Sequence, residues 1–127
     1  MDTIKIKATD DTPKVILDAD TGIMEISGKS LPEDVADFYG PILNWLDIYI
    51  QKPKPETIFN FKLNYFNTAS SKSLFDILLK LEKMQEKGSK VLVKWHYPLD
   101  DEDIEESGAE FSDIVNIPFE HLGYESE

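Results

Sequence analysis

Cysteine is absent from the 127 residues, which removes disulfide frameworks, thiolate nucleophiles and cysteine-held metals from consideration. Histidine is scarce: His96 and His121 are isolated, and neither has the i, i+4 partner of a helical zinc site. No apolar run is long enough to predict a bilayer span, and Met1-Asp2-Thr3-Ile4-Lys5 lacks a secretory apolar stretch. A reducing, cytoplasmic address is the expectation. Basic charge is also short, with 13 basic side chains against 25 acidic ones and a net charge of −12. That balance repels phosphate backbones and anionic lipid. Lys62, Lys72, Lys80, Lys83, Lys87 and Lys90 are scattered singly rather than gathered into a stripe. Nucleic acid and membrane are therefore not expected partners, whereas a protein with a basic face is left open.

What is present predicts one folded α/β domain over residues 1–127, since the chain length suits one core and 41% of its residues are hydrophobic. Alternation over Thr3 to Ala8 predicts an edge strand. Lys14 to Ala19 and Gly22 to Ser27 predict an antiparallel hairpin around Asp20-Thr21. Pro32-Glu33-Asp34 opens a helix running to about Gln51, with Val35, Phe38, Ile42, Leu46 and Tyr49 at helical spacing and a kink or break expected at Gly40-Pro41. Thr57 to Phe66 alternates and predicts a strand with Phe59, Phe61, Leu63 and Tyr65 on one face. A second helix, Ser71 to Lys87, carries Leu74, Leu78 and Leu81 and stops at Gly88, and Lys90 to Tyr97 reads as another strand. That strand, helix, strand succession predicts a parallel crossover. Beyond it come a short acidic helix ending before Gly108, a last edge strand over Val115 to Glu120, and a frayed end from Gly123 to Glu127.

The junction between the phenylalanine-rich strand and the second helix holds the most suggestive chemistry. Thr68, Ser70, Ser71 and Ser73 follow Asn64-Tyr65-Phe66-Asn67. A helix start offers free N–H groups and partial positive charge, so a phosphate there is stabilised, while an unmodified hydroxyl can cap. Ser70 or Ser71 is the expected cap, leaving Thr68 exposed just ahead, and both serines compete with Thr68 as acceptor. Asn64 and Asn67 are expected to shape the loop, and Lys72 is the nearest cation for a phosphate. The plain alternative is that these hydroxyls only cap a helix and fill a turn.

The block Asn64-Tyr65-Phe66-Asn67-Thr68-Ala69-Ser70-Ser71-Lys72, with Phe38-Tyr39-Gly40-Pro41 and Val115-Asn116-Ile117-Pro118-Phe119, resembles the SiaC family of small bacterial regulatory phosphoproteins. The resemblance covers almost the whole chain. It implies a STAS-like fold similar to anti-sigma-factor antagonists such as SpoIIAA: a mixed sheet of five or six strands with helices mainly on one face. It further implies a partner switch without catalysis or cofactor. In the family the threonine of this block, here Thr68, is phosphorylated by a partner kinase and released by a PP2C-type phosphatase. The unmodified form engages a target, in some members a diguanylate cyclase.

Two rival sites are legible. Val15-Ile16-Leu17-Asp18-Ala19-Asp20-Thr21-Gly22 looks like the nucleophile motif of haloacid-dehalogenase phosphatases, in which Asp18 attacks phosphate and Asp20 serves as acid and base around Mg²⁺. The reversed Thr-Gly order and the strand that comes next favour a hairpin turn instead. The run from Asp100 to Glu106 lacks the spacing of a calcium loop and reads as a solvated or docking face. Tyr39, Trp45 and Tyr49 are expected in the core, with any of them left outside serving as an interface anchor.

Overall fold

Strict alternation in the sequence becomes a six-stranded sheet whose strands lie side by side in chain order. The structure, a computed structural model, describes residues 1–125. The strands are β1 (Ile4–Ile6), β2 (Lys14–Asp18), β3 (Ile23–Ser30), β4 (Glu56–Phe66), β5 (Lys90–Pro98) and β6 (Phe119–Tyr124). The first three pair antiparallel; β3, β4, β5 and β6 run parallel. Each parallel step is bridged by a helix: α1 (Val35–Tyr49), α2 (Thr68–Glu86) and α3 (Glu102–Ile114). Consecutive crossovers between neighbouring strands place their helices on one side of a sheet. The burial pattern agrees: Val15, Leu17, Met24, Ile26, Phe59, Phe61, Val91 and Val93 face the helices in one continuous core. No helix is long and apolar enough to cross a membrane among the described residues.

The helices form where apolar spacing and caps agree. In α2, Leu74, Ile77, Leu78 and Leu81 are all fully buried, each contributing roughly 1.5–3 kcal/mol by the area it removes from water. The helix stops at Gly88, whose φ of 106° suits glycine. α3 docks on Trp95, which is stacked obliquely on Phe61 and edge-on to Phe66 and Phe111. The Trp95 indole N–H donates to the Ile104 carbonyl at 2.9 Å. Of the anchors anticipated in α1, Tyr39, Trp45 and Tyr49 are all buried.

Several sequence expectations shift. α1 begins after the cap Asp34 rather than at Pro32 and continues unbroken through Pro41, whose missing N–H falls on an exposed side where water can serve the freed carbonyl. α3 does not end before Gly108. It passes through that residue, because only a hydrogen fits there: a Cβ would meet Trp95 Cδ1 at 2.3 Å. The last strand begins after Pro118, not at Val115, since proline cannot donate to the ladder. Gly123 and Tyr124 belong to that strand rather than to a frayed end, and Ser126 and Glu127 lie outside the described residues.

Candidate functional site

The exit of β4 is set by one extra residue. Gly28 pairs with Leu63 and Lys29 with Tyr65, so Asn64 has no opposite number and forms a bulge. The bulge reverses the inward and outward phase of the next residues. Tyr65, expected on the core face with Phe59, Phe61 and Leu63, is instead turned out and 51% exposed. Phe66 turns in, with its ring edge-on to Trp95 at 6.2 Å. Asn64 thus lies within the strand rather than shaping a loop. It lines a cavity of about 250 Å³ with Tyr65, Phe66, Asp101, Asp103, Ile104 and Ser107.

One residue separates β4 from α2, and it supplies the cap. Asn67 has extended backbone, and its side-chain oxygen accepts from the Ser70 N–H at 2.8 Å. Neither Ser70 nor Ser71 caps the helix, because the chain turns helical earlier than its apolar periodicity shows. Thr68 is the first helical residue and is exposed, as is Ala69. The first backbone bond of α2 runs from Ser71 N to the Asn67 carbonyl at 2.9 Å, so the Thr68 and Ala69 amides have no partner within the helix.

Ser70 points the opposite way and is fully buried. Its hydroxyl donates to the Ser30 carbonyl at 3.0 Å and accepts from the Ser30 hydroxyl at 2.8 Å. Tyr39 OH completes the chain on Ser30 Oγ. The Asn67 N–H reaches the same Ser30 carbonyl at 3.2 Å. The end of β3, the first half of α1 and the start of α2 are thereby tied directly beneath Thr68. Burial pushes the Tyr39 phenol above its ordinary pKa, and the hydrogen bonds from Ser30 and Ser70 offset part of that rise, so the network works with neutral hydroxyls. Ser30 went unread in the sequence, and Tyr39 was read only as a core residue. The available signal was a serine at a position where the alternation of β3 calls for an apolar residue.

All three helices start at the same edge of the sheet, where β3, β4 and β5 end. Their electrostatics differ. α1 has an aspartate cap and Asp37 in its first turn; α3 has the cap Asp101 with Glu102, Asp103 and Glu105. α2 has a neutral cap and no acid in its first turn, so it supplies no carboxylate of its own to its positive dipole end. Lys72 is exposed one turn after Thr68 on the same helical face. The chain contains no arginine, so any phosphate at this place depends on helix amides and lysine rather than a guanidinium fork.

Of the remaining candidates, Ser71 is half-buried on α2. Asp18, the last residue of β2, and Asp20, in the turn between β2 and β3, lie at the opposite end of β3. There the Asp18 carboxylate accepts from the Asp20 and Thr21 N–H groups at 2.9 and 3.4 Å, and Gly22 completes the turn with φ of 74°. Asp20 is exposed on that turn. The phosphatase reading of this motif is overturned: the Asp18 carboxylate holds the hairpin turn and Asp20 is exposed on it, rather than the two lining a cleft. No group of three or more potential metal ligands occurs among the described residues.

Comparison with known proteins places this geometry. Residues 6–124 match the family described as SiaC family regulatory phosphoprotein. The chain belongs to the SiaC family. It is 29% identical over 119 residues to an uncharacterized protein of Pseudomonas aeruginosa strain UCBPP-PA14, covering 94% of both chains. Apo-SiaC from Pseudomonas aeruginosa superposes with a TM-score of 0.88 at 29% identity, over 96% of this chain and 99% of that one. A chain in the crystal structure of diguanylate cyclase SiaD in complex with its activator SiaC, from the same organism, gives 0.90 at 28% identity, over 95% and 99%. The mixed six-stranded sheet with three helices is thus the SiaC fold, and the family is one of regulatory phosphoproteins.

Proposed function

We propose that this SiaC-family chain is a non-catalytic cytoplasmic adaptor whose binding to other proteins is switched by reversible phosphorylation of Thr68. The observation that carries the reading is the placement of Thr68: exposed, at the first position of a helix with no acidic residue as its cap or in its first turn. A phosphate there adds close to two negative charges beside unpartnered amides. The neutral and dianionic forms therefore present different surfaces, on a chain already at −12. Tyr65, turned out by the bulge at Asn64, supplies an aromatic anchor beside the switch.

Ser70 is out of reach of an enzyme in the folded chain, being fully buried and doubly hydrogen-bonded, which leaves exposed Thr68 ahead of half-buried Ser71 as the more accessible hydroxyl at the helix start. The partners in this reading are a cognate kinase, a PP2C-type phosphatase and a target engaged by the unmodified form. The SiaD complex of the Pseudomonas aeruginosa relative makes a diguanylate cyclase the natural target to test.

Incubation with the cognate kinase and ATP is expected to add one phosphate, which the phosphatase removes. Thr68→Ala abolishes the addition and Ser71→Ala does not. Cyclase stimulation then tracks the unmodified protein and is lost on phosphorylation. An intact mass unchanged after kinase treatment of the wild type rejects the reading.

A further inference from the structure

We infer that the groove between the β1–β2 arm and the first half of α1 is a docking surface for a basic, amphipathic segment of a partner protein. The groove encloses about 510 Å³. Its floor is apolar, made by Ile6, Pro32, Phe38 and Pro41. Its polar lining is Thr12 and four acids, Asp11, Glu33, Asp34 and Asp37, with no lysine. An occupant must therefore bring apolar side chains and cations together. A purely hydrophilic polycation leaves the floor wet, and an acidic segment meets four carboxylates.

The walls are held in place without an occupant. The Asp34 carboxylate accepts from Asp37 N at 3.0 Å, Thr9 Oγ1 donates to Asp11 at 3.0 Å, and Leu31 N donates to the Asp11 carbonyl at 2.7 Å. That last bond ties the arm to the segment just before α1. Pro32, on the floor, is two residues from Ser30, whose carbonyl holds the start of α2. The groove thus shares a short stretch of chain with the surface around Thr68, but the inference stands whichever hydroxyl accepts phosphate.

The test uses the isotopically labelled full chain and a synthetic helical peptide with leucine on one face and lysine on the other. A leucine and glutamate counterpart and an oligolysine of equal charge serve as controls. Amide shifts are expected at Asp11, Glu33, Asp37 and Phe38 with the basic amphipathic peptide alone. Affinity should fall about tenfold or more in Glu33→Lys/Asp37→Lys, which leaves the cap Asp34 in place. Pro41→Lys, at an exposed helical position where lysine is the better helix former, is a second variant expected to weaken binding while remaining folded. The inference is overturned by no binding, by unchanged affinity in both variants, by oligolysine binding equally well, or by shifts centred on Glu102 to Glu106. Self-association through Ile48, Lys52 and Lys54 at the other end of α1, blocked by Glu33→Lys/Asp37→Lys, would equally overturn it in favour of a second copy.

Discussion

Ser30 and Ser70 hold each other through two hydrogen bonds, the Ser30 hydroxyl donating to Ser70 Oγ at 2.8 Å and the Ser70 hydroxyl donating to the Ser30 carbonyl at 3.0 Å. Forty residues apart in sequence, the pair fixes the end of one strand to the start of the helix that presents Thr68. Among the described residues no buried side-chain polar atom lacks a partner, so this network is fully satisfied, and any deletion from it leaves a neighbour short.

Ser70→Ala removes an acceptor and a donor at a fully buried position. Leaving the Ser30 hydroxyl without its acceptor costs about 1–3 kcal/mol. Tyr39→Phe removes one donor while Ser30 keeps Ser70, so a smaller loss of about 1 kcal/mol is expected. Denaturant midpoints of the two variants check the order, and Ser70→Ala retaining wild-type stability would show that the network is not what anchors the start of α2.

Asn67 caps α2 with a neutral oxygen. Asn67→Ala should lower stability by about 1 kcal/mol. Asn67→Asp keeps the cap and adds a negative charge at the bare helix end, so it should raise the melting temperature, by about 0.3–1 kcal/mol in equivalent free energy. The gain from phosphorylating Thr68 should shrink in that variant, because the dipole is already served. Thermal melts of modified and unmodified forms read both effects.

Most of the scaffold was written in local patterns. The alternation around Phe59 and Phe61, the leucine stripe of α2 and Gly88 after its end each depend on neighbours a few residues away. The features that escaped depend on contacts distant in sequence. The bulge at Asn64 arises from pairing with Gly28 and Lys29 in another strand, so Tyr65 kept its apparent phase in the sequence while reversing it in space. Gly108 read as a stop because its reason, the ring of Trp95, is thirteen positions away. The cap moved to Asn67 because the first helical turn carries polar residues that the apolar period cannot register. The exposure of Thr68 at the helix start was legible from its neighbours; the buried support beneath it was not.

Gly108 gives a sharp packing test. A Cβ added there lies 2.3–2.7 Å from three ring atoms of Trp95, and Trp95 is 1% exposed, with Phe61 and Phe111 against it. The ring cannot retreat, so α3 must lift. Gly108→Ala is expected to destabilise by about 1–3 kcal/mol despite alanine's better helix propensity. Tryptophan fluorescence should shift as the indole loses its bond to Ile104. An alanine variant with native fluorescence and unchanged stability would contradict this packing.

His96 contributes to the pH dependence of stability from the open face of the sheet. Asn60 donates its amide nitrogen to the Met24 carbonyl at 3.2 Å, which leaves its oxygen facing His96 Nε2 at 3.0 Å. The imidazole therefore carries its proton on Nε2 and donates. Burial first, then Lys62 and Lys94, hold its pKa below the ordinary value, against weaker opposition from Glu25 and Glu120. Below about pH 6.5 the unfolded chain binds a proton that the folded chain does not, so stability rises with pH through that window and falls as the solution is acidified. His96→Asn should flatten the slope of unfolding free energy between about pH 5 and 7, where carboxylates contribute little. An NMR titration placing His96 at or above the ordinary histidine value would reverse the sign and reject the assignment.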